Sequence, residues 1–324
     1  MKERFYSFNS YLRREFGVRT HKISLNAGFN CPNLDGALSS EGCVFCDNKA
    51  FSYFANSDPL SLEEQIYKSM DYARKRFKAE KFIAYFQSFS NTYGDIAFLK
   101  EQYSVIRKFK DIVGISISTR PDCINDEKLD VIEEFSKDYK VFIEYGLQTC
   151  HNKTLKLINR NHTFEDFEKA VELTAKRTNI KIGAHVILGL PRRFDRGMAY
   201  ETKEDVLSTA KTLSKMPIWG IKFHCLHIVK NTALENMYNK GKVSLLSEDE
   251  YIDMLISFLE VTPEERVILR LVSDADRNLL IAPLWVNEKQ RVLKKIEKEF
   301  EKRNAYQGKS ENKICRDRPW PVRC

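Results

Sequence analysis

Three of the eight cysteines in this 324-residue chain lie close together, at Cys31, Cys43 and Cys46. The stretch reads CPNLDGALSSEGCVFC, which gives the spacing Cys-x11-Cys-x2-Cys. In a large intracellular chain, clustered thiols indicate metal binding or catalysis before disulfides. A structural zinc site takes four ligands, often as two Cys-x2-Cys pairs, and here only one such pair is present. Three thiolates on a [4Fe–4S] cluster would leave one iron open for a substrate or cofactor.

The residues alone leave two other interpretations of this loop. A zinc site would need a fourth ligand from Cys123, Cys150, Cys225 or a histidine, none of which has a paired spacing. The other interpretation is three unrelated, buried thiols. The loop contains proline, glycine and several small residues, so it is able to wrap closely around a compact group.

The elements that would position this loop follow an alternating pattern. Short apolar, β-branched runs predict strands, and amphipathic stretches between them predict helices. Three helix starts carry capping boxes, at Ser61-x-x-Glu64, Thr202-x-x-Asp205 and Ser247-x-x-Glu250. The predicted strands are 22–27, 82–86, 112–118, 141–147, 182–188, 221–228 and 267–272. The predicted helices are 61–78, 96–109, 126–137, 163–177, 202–214 and 248–260.

Six repeated strand–helix units indicate an α/β fold with a parallel sheet. Right-handed crossovers would close it into a partial (β/α)6 TIM-like barrel with a C-terminal extension. We predict a barrel domain over 1–288 and a basic helical or tail extension over 289–324. The cysteine loop follows the first strand, so it lies at the C-terminal strand ends, where such barrels carry their active sites.

The positive charge of the chain is concentrated at its C-terminus. The net charge is +8, and residues 289–324 hold 12 Lys and Arg against 5 Asp and Glu. A basic segment attracts polyanions such as RNA through phosphate contacts. The alternative is an ordinary solvated helix, since apolar residues recur at 292, 293, 296 and 300.

The sequence also indicates where the protein works. No apolar run is long enough to span a membrane, and the N-terminal MKERFYSFNSYLRREFG lacks the apolar stretch of a secretory signal. We therefore expect a cytoplasmic protein, with no membrane partner and no DNA partner.

With these motifs in order, the chain resembles the radical S-adenosylmethionine (SAM) superfamily. The matching stretches are NAGFNCPNLDG, GCVFCDN, YFQSFSNTYGD, SISTRPD, EYGLQTCHNKTLKLINRNHT and HVILGLP. Together they are similar to the YhcC/YtqA type of radical SAM protein, in the elongator-like branch. The first gap, x11, departs from the common Cys-x3-Cys-x2-Cys motif, whereas the closing Cys-x2-Cys is retained.

The resemblance implies a cofactor set and a group of site residues. Cys31, Cys43 and Cys46 would bind three irons of a [4Fe–4S] cluster, and SAM would chelate the fourth. Reductive cleavage of SAM would give a 5′-deoxyadenosyl radical that abstracts hydrogen from the substrate. The residues expected to bind SAM are Gln87, Asn91, Thr92, Ser118, Arg120, Glu144, Gln148 and Arg160.

The resemblance also implies a substrate class. Proteins of this type are linked to modification of the tRNA wobble uridine, from a carboxymethylaminomethyl to an aminomethyl side chain. A reductant such as flavodoxin or ferredoxin would feed the cluster. The alternatives are a radical SAM enzyme acting on a small metabolite or a protein side chain, and a zinc-stabilised RNA-binding protein without catalysis. No role is predicted for Cys123, Cys150, Cys225, Cys315 or Cys324.

Overall fold

A computed structural model describes residues 3–47, 60–192 and 200–310 of the protein. Cys315, Cys324 and the rest of 311–324 lie outside the described residues. Among the residues described, no helix is both long and apolar enough to cross a membrane.

A parallel sheet of seven strands forms the centre of the described fold. Its spatial order is β1-β2-β3-β4-β5-β6-β8, so successive strands of the sheet are neighbours and each pair is parallel. Such connections are βαβ crossovers, and the sheet curls into a half-barrel. The predicted partial (β/α)6 TIM-like barrel is confirmed. The strands are β1 (Thr20–Leu25), β2 (Lys81–Phe86), β3 (Ile112–Thr119), β4 (Lys140–Gln148), β5 (Ile180–Leu188), β6 (Gly220–Cys225) and β8 (Val267–Arg270).

Helices connect the strands and cover the outer face of the sheet. Four of the described helices begin with a capping box, the three predicted ones and a further one at Thr163 and Asp166. The helices are α1 (Phe8–Phe16), α2 (Leu62–Phe77), α3 (Ile96–Ser104), α4 (Asp126–Glu134), α5 (Asn152–Leu157), α6 (Phe164–Ala175), α7 (Lys203–Ser214), α8 (Ala233–Asn239), α9 (Glu248–Val261) and α10 (Lys289–Lys302).

Two strand ends differ from the prediction. Strand β1 stops at Leu25, because the backbone N–H of Asn26 bonds to the side chain of Gln65 instead of to a neighbouring strand. The predicted strand 221–228 divides after Cys225. Its last residues form β7 (Ile228–Val229), which pairs antiparallel with β9 (Leu280–Ala282).

Helix α1 closes the end of the half-barrel that faces away from the cysteine loop. Its Tyr11 and Leu12 pack against Ile83, Phe142 and Val267. Burial of these aromatic and aliphatic side chains stabilises the floor by roughly 25 cal/mol per Å² of apolar surface removed from water.

Helix α10 belongs to the folded part of the C-terminal segment. Val292, Ile296 and Phe300 are fully buried on one face, and the helix packs against α9. Beyond it, Gln307 accepts a hydrogen bond from the backbone of Tyr6. Residues 289–302 therefore form a helix with one buried apolar face. The domain boundary after residue 288 stays a prediction.

Candidate functional site

The cysteine loop folds back on itself at the C-terminal end of the sheet. Gly42 donates its backbone N–H to Asn33 O at 2.7 Å, and the N–H of Cys46 donates to Cys43 O at 2.9 Å. Gly42 has φ +73°, and a Cβ there would lie 2.7 Å from Leu34 Cδ2, so this position requires glycine. The fold thus brings Cys43 and Cys46 into one tight turn.

The three cysteines line a single cleft at this end of the barrel. Its cavity volume is about 180 Å³, and it is open to solvent on one side. The lining includes four of the residues predicted to bind SAM, which are Ser118, Arg120, Gln148 and Arg160.

The thiols also act on one another electrostatically. Burial raises the pKa of Cys46, and the neighbouring thiols of Cys43 and Cys31 raise it further. Three thiolates so close together are therefore unfavourable unless cations neutralise them, as bound iron would.

Arg160 is the cation that contacts a cysteine directly. Its Nη1 lies 3.4 Å from Cys43 Sγ. Its Nε donates to His162 Nε2 at 2.8 Å and its Nη2 donates to Gly146 O at 2.8 Å. Burial, followed by Arg160 and Arg120, lowers the pKa of His162 to about 2, so its imidazole is neutral and can accept this bond.

The asparagines beside Arg160 hold the cysteine loop in place. Asn159 and Asn161 both adopt left-handed backbone, with φ near +53° and +52°, which asparagine tolerates better than most residues. Asn159 Nδ2 donates to Gly42 O at 2.7 Å. Asn161 Nδ2 donates to Asn33 Oδ1 at 2.7 Å. Asn159 and Asn161 were not predicted from the sequence, where the available signal was the run of Asn and Arg at 159–161.

Arg120 offers the cleft an unused donor. Its Nε and Nη2 form a bidentate pair with Asp122, at 2.9 and 2.7 Å. Its Nη1 is buried and has no hydrogen-bond partner among the described residues. A buried guanidinium N–H without a partner is costly. Arg120 lines the cleft, so its Nη1 is suited to donate to an anionic group of a ligand.

Glu144 lies below the cleft, in a buried polar layer of the half-barrel. Its carboxylate contacts Lys22 and accepts from Ser116 Oγ at 2.6 Å; it also lies 3.2 Å from Lys222 Nζ and 2.8 Å from His185 Nε2. Burial acts to raise the pKa of Glu144, but Lys22 and Lys222 outweigh it and hold the pKa well below the ordinary value. Glu144 was predicted, from the family resemblance, to bind SAM. Lys22 of β1 and Lys222 of β6 were not predicted.

The structure therefore divides the predicted SAM-binding residues into two groups. Ser118, Arg120, Gln148 and Arg160 meet the three cysteines at the cleft. The other four are not among the residues that line the cleft. Thr92 Oγ1, for example, bonds to Thr119 Oγ1 and to Cys123 O. This second group comprises Gln87, Asn91, Thr92 and Glu144.

Three histidines, one on β5, one on β6 and one just after β6, also line the cleft. These are His185, His224 and His227. Strand β6 ends at Cys225, and both His224 and His227 line the cleft. Burial lowers the pKa of all three, so they are neutral near pH 7.

The donor set fits an iron–sulfur cluster with one open iron. Within the described residues, no three Cys, His, Asp or Glu side chains converge to hold a single metal ion. A [4Fe–4S] cluster needs no such convergence, because each thiolate binds a different iron. Three cysteines around one cleft, with N–H donors at the Cys43 sulfur, match that requirement.

Comparison with protein families agrees with this arrangement. Residues 40–219 match the radical SAM superfamily, and residues 218–302 match the radical SAM C-terminal domain. The first match covers more than half of the chain and begins between Cys31 and Cys43.

Individual relatives extend the similarity over the whole fold. The uncharacterized protein YtqA of Bacillus subtilis is 36% identical over 95% of this chain and 93% of its own length. Escherichia coli YhcC is 33% identical over 86% of each chain. A tRNA uridine(34) acetyltransferase of Methanocaldococcus infernus is 24% identical over 52% of this chain and 30% of its own length.

A solved structure supports the fold. The structure of Methanocaldococcus infernus Elp3 with an N-terminal deletion superposes with a TM-score of 0.64 at 18% identity. The superposition covers 90% of this chain and 64% of the Elp3 chain. At that identity the likeness concerns the fold alone.

Proposed function

The chain belongs to the radical SAM superfamily, whose enzymes use a [4Fe–4S] cluster and SAM, and we propose that Cys31, Cys43 and Cys46 bind that cluster here. The observation that carries the proposal is the convergence of the three cysteines on one cleft. When bound and reduced, the cluster and SAM supply a carbon-centred radical that abstracts hydrogen from a substrate.

The residues of the cleft would bind and orient SAM. Arg120 presents its unpartnered Nη1 to the methionine carboxylate, while Asp122 fixes the plane of the guanidinium. Ser118 and Gln148 line the cleft and offer a hydroxyl and an amide to the remaining polar groups. Contacts from Gln87, Asn91, Thr92 and Glu144 stay predictions.

The protein should cleave SAM, and each cysteine should be needed. We expect purified protein, reconstituted with iron and sulfide without oxygen and reduced with dithionite, to form 5′-deoxyadenosine. Cys31→Ala, Cys43→Ala and Cys46→Ala should each abolish it, because loss of one thiolate leaves the cluster underligated. Cys150→Ala is the matched control and should retain activity. Cleavage that survives all three substitutions would refute the assignment.

The proposed substrate is tRNA, at the side chain of the wobble uridine. Hydrogen abstraction from the carboxymethyl CH2, return of one electron to the oxidised cluster and hydrolysis of the resulting imine would release glyoxylate and leave aminomethyl. The support is a relative named as a tRNA uridine(34) acetyltransferase, together with the basic segment 289–324. A reductant of the flavodoxin or ferredoxin class and a cytoplasmic location complete the proposal.

Nucleoside analysis tests the substrate. Active enzyme should convert tRNA that carries the carboxymethylaminomethyl group, whereas Cys43→Ala should not. 5′-Deoxyadenosine formed at the same rate with and without tRNA, with no change in the nucleosides, would favour a small metabolite or a protein side chain. A colourless protein with zinc and no SAM cleavage would favour the RNA-binding alternative.

A further inference from the structure

The sulfur of Cys43 has surroundings that the other two cysteines lack. Asn33 Nδ2 lies 3.5 Å from Cys43 Sγ, and Arg160 Nη1 lies 3.4 Å from it. Among the described residues, no side chain donates a hydrogen bond to the sulfur of Cys31 or Cys46. Asn33 is fully buried and Arg160 is 8% exposed, so water competes little for these bonds.

The guanidinium of Arg160 is held in this position from two further sides. His162 accepts from Nε, and the carbonyl of Gly146 accepts from Nη2. Strand β4 leaves room for it, because a Cβ on Gly146 would lie only 2.5 Å from Arg160 Nη2. The positive charge of Arg160 is therefore held beside the Cys43 sulfur by bonds to His162 and Gly146.

We propose that Arg160, with Asn33, raises the reduction potential of the cluster by stabilising negative charge at the Cys43 sulfur. The inference rests on the proposed function, since it needs Cys43 to be a ligand. Reduction adds one negative charge to the cluster and its thiolates. Hydrogen bonds to the sulfurs and a nearby cation stabilise the reduced form more than the oxidised form.

The two arginines in the cleft have different roles. Arg160 Nη1 is directed at a sulfur, whereas Arg120 Nη1 has no partner among the described residues. Arg120 is thus the better candidate for the carboxylate of SAM. Arg160 was predicted from the resemblance to bind SAM, but in this proposal it raises the reduction potential of the cluster instead.

A redox titration tests the inference directly. Reconstituted protein without SAM is titrated with dithionite, and the reduced cluster is counted by electron paramagnetic resonance. We expect Arg160→Gln to lower the equilibrium constant for one-electron reduction of the cluster about tenfold. This corresponds to a shift of the midpoint potential by about 59 mV to more negative values. Arg160→Lys keeps the charge and should shift the midpoint less. The exposed Arg76 of α2 gives the matched control, since Arg76→Gln removes the same charge and should leave the midpoint unchanged.

A second variant covers the case in which Arg160→Gln does not hold the cluster. Gly146→Ala keeps Arg160 but displaces its guanidinium, so it too should shift the midpoint to more negative potential. Wild-type midpoints in both variants would overturn the inference. Loss of the cluster in both, with Arg76→Gln still loaded, would also overturn it and assign Arg160 a structural role. Wild-type protein that assembles no cluster would instead refute the proposed function.

Discussion

At the level of single residues, Glu144 is the countercharge of the barrel interior. Glu144→Gln would leave the ammonium groups of Lys22 and Lys222 buried together without a carboxylate. Breaking a buried pair in this way costs about 3 kcal/mol of unfolding free energy. Urea denaturation of the apoprotein at neutral pH measures this loss. The exposed Glu101 gives the control, and a Glu144→Gln protein as stable as Glu101→Gln would contradict the account.

His162 gives the stability of the apoprotein a defined pH dependence. Its folded pKa is about 2, whereas an unfolded histidine titrates near 6.5. Below about pH 6.5 the unfolded chain binds a proton that the folded chain does not, so stability falls on acidification by about 1.4 kcal/mol per pH unit. His162→Gln lacks this group. Its unfolding free energy should therefore fall less steeply than that of wild type between about pH 6 and pH 4, and parallel curves would exclude the mechanism.

At the level of elements, the cysteine loop depends on its glycines. Gly36 and Gly42 both have positive φ, but only at Gly42 would a Cβ meet another atom, Leu34 Cδ2. Gly36→Ala should cost about 1 kcal/mol from backbone strain. Gly42→Ala adds the clash and should also reduce the iron bound per chain after reconstitution. Equal iron content in the two variants would show that the turn before Cys43 is unimportant.

The sequence predicted the elements better than their contacts. Apolar periodicity and capping boxes placed the strands and most helices, because these signals are local. The pairing of β7 with β9 joins segments about fifty residues apart, and no local sequence pattern predicts it. The same limit applies to the site. The cysteine spacing predicted that Cys31, Cys43 and Cys46 form one site. The hydrogen bonds of Asn33, Asn159 and Asn161 depend on how the cysteine loop packs against residues 159–161, which no local pattern shows.

At the level of the whole molecule, helix α10 completes the fold. A chain that ends at residue 288 loses the buried face of Val292, Ile296 and Phe300 and the bonds of Gln307. Compared with a chain that ends at residue 310, it should lose several kcal/mol of unfolding free energy, since each large buried apolar side chain contributes about 2 kcal/mol. Equal thermal midpoints for the two chains would support a domain boundary after residue 288.

In the proposed site, three thiolates bind three irons of the cluster and leave one iron open. Mössbauer spectroscopy of protein reconstituted with iron-57, recorded with and without SAM, tests it most directly. The account predicts that one of the four irons changes its isomer shift when SAM is added, because Cys31, Cys43 and Cys46 occupy the other three. A cluster whose four irons remain equivalent in the presence of SAM would contradict it.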